Sequence, residues 1–422
     1  MLPASSHRTT TISRRELLRF AGLAAMASRP ALTAASGDEG ALAAWLRSEA
    51  FRAFIHSRMR SGHIPGVSLA VIDGGQSIHA AGFGLADLQA RRPMTADTVM
   101  NIASVSKTIT CTAVMQLWEQ KRFDLDDPID AHLPFTVRNP AYPDDALTFR
   151  HLLLHLSSIA DGPAYDASYA CGDPRISLEK WLHDYLTPGA PLFDARNNFH
   201  DWKPGARYEY SNVAYGLLGL LVERLSGRLF ADYCRERIFA PLRMASSSFR
   251  LADVDRGSHA TGYDHLGDGD ASEVRVPDPA WQPNAHSGAR LAPHCLYGFP
   301  TVSDGLARTS ARELSRFLLA YMQGGVLDGT RILREETVAL ILSDQQVEIP
   351  EPPGARLGIT WRRYPDGTFG HTGGDPGVSS RVAFRPGDGR GVVILANVRG
   401  AKSQVADIAR SIFEGTRASI PD

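Results

Sequence analysis

Ser104 and Lys107 are the residues of this chain best placed, by type and spacing, to do chemistry. They lie in Asn101-Ile-Ala-Ser104-Val-Ser-Lys107-Thr-Ile-Thr-Cys111-Thr-Ala-Val-Met115-Gln-Leu-Trp118. A serine hydroxyl is a poor nucleophile at neutral pH and needs a base within hydrogen-bond reach. A lysine three residues on along a helix supplies one on nearly the same face, provided that desolvation releases its proton. The helix N-terminus adds backbone N–H groups and the positive end of a dipole. Ser-x-x-Lys alone is weak: it recurs at Ser177-Leu-Glu-Lys180, in an ordinary charged amphipathic segment. Ser104 is preferred because its surroundings are apolar and two partner motifs follow it in the chain.

The first partner is Tyr210-Ser-Asn212. A phenol beside a lysine ammonium can serve as general base or proton relay, and an asparagine amide offers a substrate both donor and acceptor. The same residues would also cap the helix expected from Ala214 to Leu225. The second is Gly370-His371-Thr-Gly373-Gly374. Strand glycines let a substrate backbone approach, and a free strand N–H can complete an oxyanion hole. His151 and His155 have i,i+4 spacing but no Glu between them and no evident third ligand, so they are read as structural and no metal site is expected.

The elements that must position these residues follow from periodicity. From Ser106, apolar residues at Ile109, Ala113, Val114, Leu117 and Trp118 give a mostly buried helix. Ala41 to Met59 reads as an amphipathic helix, and Val67–Ile72 and Ser77–Phe83 as a hairpin about Asp73-Gly-Gly75. Helices are expected at 147–156, 214–225, 310–323 and 405–413. Strands are expected at 358–361, 370–373, 379–384 and 391–398, in an antiparallel meander. Residues 253–300, rich in Gly, Asp, Pro and His, read as a surface excursion shaping the substrate side. The fold class is α+β. An antiparallel sheet is built from 41–105 and 300–416 and flanked by helices, and 106–299 forms an inserted, mainly helical domain.

The 422 residues, 43% apolar and 22% charged, suffice for a large buried core. A net charge of −1 argues against a nucleic-acid or anionic-membrane partner. Thr11-Ile-Ser13-Arg14-Arg15-Glu-Leu17-Leu18 and the apolar run after it read as a twin-arginine export signal within residues 1–35, implying a periplasmic or secreted protein. No stable membrane insertion is expected once that signal is removed, since no later apolar run is long enough to span. Cys111 reads as a small buried hydrophobe, whereas a bridge among Cys171, Cys234 and Cys295 stays open.

The order Ser104, Tyr210, His371 in these settings resembles the serine hydrolases of the β-lactamase and penicillin-binding-protein fold. That group includes class C β-lactamases, DD-carboxypeptidases, D-aminopeptidases and family VIII-type esterases. Ile64-Pro-Gly66, Leu152-Leu-Leu-His155-Leu-Ser157, Trp202-Lys-Pro-Gly205 and Gly305-Leu-Ala-Arg-Thr-Ser310 extend the likeness across about residues 41–415. The resemblance implies an acyl-enzyme on Ser104, with proton transfer shared by Lys107 and Tyr210 and the substrate oriented by Asn212. It places His371 and Gly373 on the facing strand, and the N–H groups of Ser104 and Gly374 in an oxyanion hole. It implies no cofactor. The expected substrate is a small amide, a D-amino-acid peptide or an ester. His371 stands where β-lactamases usually carry lysine; as a partly charged imidazole it should hold a substrate carboxylate less firmly, which disfavours β-lactam hydrolysis.

Overall fold

The computed structural model describes residues 38–266, 275–278, 284–286, 288–350 and 352–415; the export-signal stretch lies outside them. The chain divides into two units, Met1–Ala41 and Leu42–Asp422, and the architecture below is that of the second. The first amphipathic run is two helices, α1 (Asp38–Leu46) and α2 (Glu49–Ser61), because the Ser48 side chain accepts from Phe51 N and starts a new helix.

A nine-stranded sheet organises the unit. Its strands are β1 (Gly66–Asp73), β2 (Gln76–Asp87), β3 (Arg92–Pro93), β4 (Val347–Glu348), β5 (Arg356–Leu357), β6 (Arg362–Arg363), β7 (Phe369–Asp375), β8 (Val378–Arg385) and β9 (Arg390–Ala396). Their order is β4-β5-β6-β7-β8-β9-β1-β2-β3, with every neighbour antiparallel. The N- and C-terminal parts of the chain therefore make one sheet, joined where β9 pairs with β1 from Val67↔Ala396 to Ile72↔Gly391. The expected strand at 358–361 is instead a bend between β5 and β6. There Thr360 adopts φ +71, its hydroxyl meets that of Tyr215 at 2.6 Å, and the Trp361 ring sinks into the core.

Both faces of the central strands are apolar, so both are covered. Val67, Leu69, Val71, Ile394 and Ala396 pack toward α2 and the C-terminal helix. Ala70, Ile72, Val393 and Leu395 join the larger core of the helical layer. That layer includes α3 (Ser106–Glu119), α4 (Phe149–Leu153), α5 (Leu178–Leu186), α6 (Asn212–Ser226) and α7 (Ala311–Met322); the C-terminal helix is α8 (Lys402–Glu414). Residues 106–117 of α3 are all buried, so this helix is the axle of the core. α6 ends at Gly227, whose φ of +69 is the left-handed conformation that stops a helix and that glycine adopts without strain. Cys171 and Cys295 form a disulfide that joins the short strands Ala170–Cys171 and Tyr297–Gly298, while Cys111 and Cys234 are buried thiols. Among the described residues no helix is long and apolar enough to cross a membrane.

Candidate active site

Ser104 sits on a single 3-10 turn, Ala103–Val105, that feeds α3. Ala103 takes φ +47, unusual for a residue with a β-carbon. The turn is held by Asn101, whose Oδ1 accepts from Ala103 N at 2.7 Å, and by Ser380, whose hydroxyl donates to the Ile102 carbonyl at 2.7 Å. Strand β7 runs against it. A β-carbon on Gly373 would lie 2.3 Å from Ser380 Oγ and 2.5 Å from the Ile102 oxygen, so only glycine lets the strand come this close. Gly374, one residue on, faces outward and lines a cleft of about 180 Å³ together with Ser104, Asn212, Asp304 and Asp375.

Lys107 is fully buried, and its Nζ has three oxygen neighbours: Asn212 Oδ1 at 2.6 Å, the Asp304 carbonyl at 2.7 Å and Ser104 Oγ at 3.4 Å. Two of the three are pure acceptors, so two N–H bonds are committed to them. In the neutral amine the remaining lone pair is left for the Ser104 hydroxyl; in the ammonium the third N–H takes its place. The position facing Ser104 is where a proton can pass.

Asn212 presents its oxygen, not its nitrogen, to Lys107 because Asp161 claims the nitrogen. Asp161 Oδ2 accepts from Asn212 Nδ2 at 2.9 Å, and the same carboxylate accepts from the backbone N–H groups of Asn212 and Val213 at the start of α6. Burial raises the Asp161 pKa, against the pull of those N–H donors. Sequence reasoning missed Asp161, seeing only the end of a short helix at Ser157-Ser-Ile-Ala-Asp-Gly162; an acid fifty-one residues from its partner has no local signature.

Tyr210 packs its ring 4.9 Å from Lys107 Nζ and stacks on His155, centroid to centroid 4.3 Å. Its hydroxyl is buried without a hydrogen-bond partner among the described residues. His155 Nδ1 accepts from Ser211 N, whereas His151 closes a capping box with Thr148, so the two histidines serve separate structural tasks. Ser177 likewise caps α5, and Lys180 pairs with Asp184. Among the described residues no group of three or more His, Cys, Asp or Glu side chains is arranged to hold a metal ion.

His371 is 2% exposed, and its Nδ1 lies 2.8 Å from the Thr372 carbonyl, which fixes the proton on that nitrogen. Burial, with Arg362 and Lys107 adding to it, holds its pKa well below the ordinary value. The partly charged imidazole expected from sequence is therefore a neutral one: desolvation and two nearby cations outweigh the single carbonyl. Like Gly373 and Asp375 it faces the Ser104 turn, since alternate strand residues share a side.

The cleft also holds groups that no motif announced. Asp304 is buried, accepts from the Thr301 hydroxyl at 2.6 Å and from Tyr165, and has its pKa pushed up to about 8, mainly by desolvation. Asp375 accepts from Tyr169 and Tyr297, and Arg275, from the 253–300 excursion, reaches the same cleft.

Comparison with known proteins places the chain in a family and agrees with its fold. A family model described as Beta-lactamase matches residues 51–416. Penicillin-binding protein 4 of Amycolatopsis lactamdurans is 28% identical over 360 residues, 83% of this chain and 85% of that protein. Protein flp of Staphylococcus aureus (strain COL) is 27% identical over 213 residues, half of this chain but only 40% of that protein's length. Among solved structures, a D-amino acid amidase from Ochrobactrum anthropi SV3 shares the fold with a TM-score of 0.68 at 21% identity, covering 87% of this chain and all of that one.

Proposed function

The chain belongs to the beta-lactamase family of serine hydrolases, and on that premise we propose that it hydrolyses a small amide, a D-amino-acid peptide or an ester through an acyl-enzyme on Ser104. The observation that carries this reading is the Lys107 amine, whose two committed N–H bonds leave its remaining position to Ser104 Oγ. Ser104 attacks the substrate carbonyl as its proton passes to Lys107. Tyr210, whose ring packs beside that amine and whose hydroxyl has no other partner among the described residues, is free to share the relay. The developing oxyanion is received by the backbone N–H groups of Ser104 and Gly374, both on the cleft wall. The proton then goes to the leaving group, and water, activated through the same groups, releases the acyl chain. A neutral His371 offers no fixed cation for a substrate carboxylate, which supports an amidase or esterase over a β-lactamase. The Arg14-Arg15 stretch and the Cys171–Cys295 disulfide support export to an oxidising compartment, periplasmic or extracellular.

The test is intact-protein mass spectrometry after mixing with an activated acyl ester and, separately, a penicillin, with turnover followed in parallel. The wild type is expected to acquire an acyl adduct or to turn the ester over, and Ser104→Ala to do neither. Turnover of every accepted ester unchanged in Ser104→Ala would sink the proposal.

A further inference from the structure

Building on the acyl-hydrolase reading of Ser104, we propose that Asp375 selects substrates whose acyl portion carries a protonated amine. Asp375 ends β7, directly after Gly374, and lines the cleft that Ser104 opens into. Its Oδ1 accepts from the Tyr169 hydroxyl at 3.0 Å and its Oδ2 from the Tyr297 hydroxyl at 2.7 Å. Each carboxylate oxygen can accept twice, so each keeps a free position.

The carboxylate is held firmly. The Tyr297 hydroxyl also accepts from Asn101 Nδ2 at 3.1 Å, and Asn101 in turn anchors the turn that bears Ser104. The Cys171–Cys295 disulfide stands two residues beyond Tyr169 and two before Tyr297, tying both phenols to one frame. Asp375 is thereby fixed relative to the nucleophile.

What the carboxylate lacks is a paired cation: Arg275 and Lys107 act on it only through space. Among the described residues no basic side chain forms an ion pair with Asp375. Arg275 is engaged by Asp166 at 2.9 Å and lies over the Tyr169 ring, Arg399 pairs with Asp264 at 3.5 Å, and Lys107 is turned to Ser104, Asn212 and Asp304. A carboxylate drawn out of water and hydrogen-bonded only by phenols gains most from a ligand that brings positive charge and N–H donors together. Burial raises the Asp375 pKa to about 6, which leaves it ionised at neutral pH. A primary ammonium near the scissile carbonyl fits the two open lone-pair positions, while an acidic acyl group meets repulsion.

The experiment compares four p-nitrophenyl esters near neutral pH: those of D- and L-phenylalanine with free amines, of N-acetylphenylalanine, and of 3-phenylpropionate. The free-amine ester of one enantiomer is expected to exceed the desamino and acetylated esters by about tenfold or more in kcat/KM, the worth of one charge-assisted contact. In Asp375→Asn the ratio of free-amine to desamino turnover should fall to near one. Equal wild-type turnover of free-amine and desamino esters overturns the proposal, as does an unchanged ratio in the variant, which would make Asp375 a structural brace. Should Asp375→Asn fail to fold, phenethylamine competition against the desamino ester decides: inhibition supports the amine site and its absence overturns it. The acyl-hydrolase reading fails separately, only if no ester is turned over through Ser104.

Discussion

Asp161 decides which atom of Asn212 Lys107 meets. By holding Nδ2 it turns Oδ1 onto Lys107, and by accepting two backbone N–H groups it caps α6, so one carboxylate sets both the tilt of a helix and the orientation of an amide. In Asp161→Asn the amide of Asn212 loses its reason to face Lys107 oxygen-first. Turnover should fall by about 10², the scale of a misplacement of about 1 Å, with KM changing far less than kcat. The helix cap should cost about 1 kcal/mol, read as a small drop in melting temperature. If kcat fell only in proportion to the folded fraction, Asp161 would be a cap and nothing more.

At the scale of elements, the site depends on how closely β7 approaches the turn before α3. Gly373→Ala would push a methyl group into Ser380 Oγ and the Ile102 carbonyl, and neither can retreat, because each is bonded to the other. Overpacking of this kind costs about 1–3 kcal/mol and displaces the very strand that carries Gly374, so denaturant midpoint and turnover should fall together. Gly374→Ala meets only the end of Lys402 at 3.5 Å and is expected to keep the wild-type midpoint. An equal loss of stability in the two variants would contradict this account. The elements themselves were largely legible in the sequence. The 3.6-residue period placed α3, α6, α7 and α8, and the glycine-bounded apolar runs placed β7, β8 and β9. The bend at 358–361 was missed because Trp361 and Ile359 read as strand residues, while their burial comes from tertiary packing. The Ser104–Lys107–Asn212 contact was legible as motif order; Asp161, Asp304, Asp375 and the cysteine pairing were not, since each acquires its role only from partners far along the chain.

Across the whole unit, stability should depend on pH through histidines buried without charge. His259 is the clearest. It is buried, its Nδ1 lies 2.7 Å from the Ala260 carbonyl, and desolvation lowers its pKa to about 3. Above pH 6.5 the imidazole is neutral in both folded and unfolded chains and contributes nothing. Between pH 6.5 and about 3 only the unfolded chain takes up the proton, so stability is lost as pH falls, by about 1.4 kcal/mol per pH unit. A His259→Gln variant has no such proton to bind. The stability difference between the two proteins, measured by denaturant titration at pH 7, 6 and 5, should therefore move against the wild type below pH 6.5. A difference that stays constant over that range would show that His259 is not held neutral.

The position of β9 between β8 and β1 has a consequence for how the molecule is made. As the chain leaves the ribosome, β1 and β2 emerge early and can form their hairpin, but the partner for the other edge of β1 lies some three hundred residues away, at 391–396. Until that segment appears, β1 presents a row of bare amides flanked by Val67, Leu69 and Val71, the kind of edge on which chains stick to one another. The helical layer can gather around α3 and α6 meanwhile, yet the sheet that brings Gly374 to Ser104 closes only when synthesis is nearly done. Ser104 is among the first parts of the site to be translated and the strand facing it among the last. A nascent or C-terminally clipped chain therefore carries Ser104 without the strand that faces it.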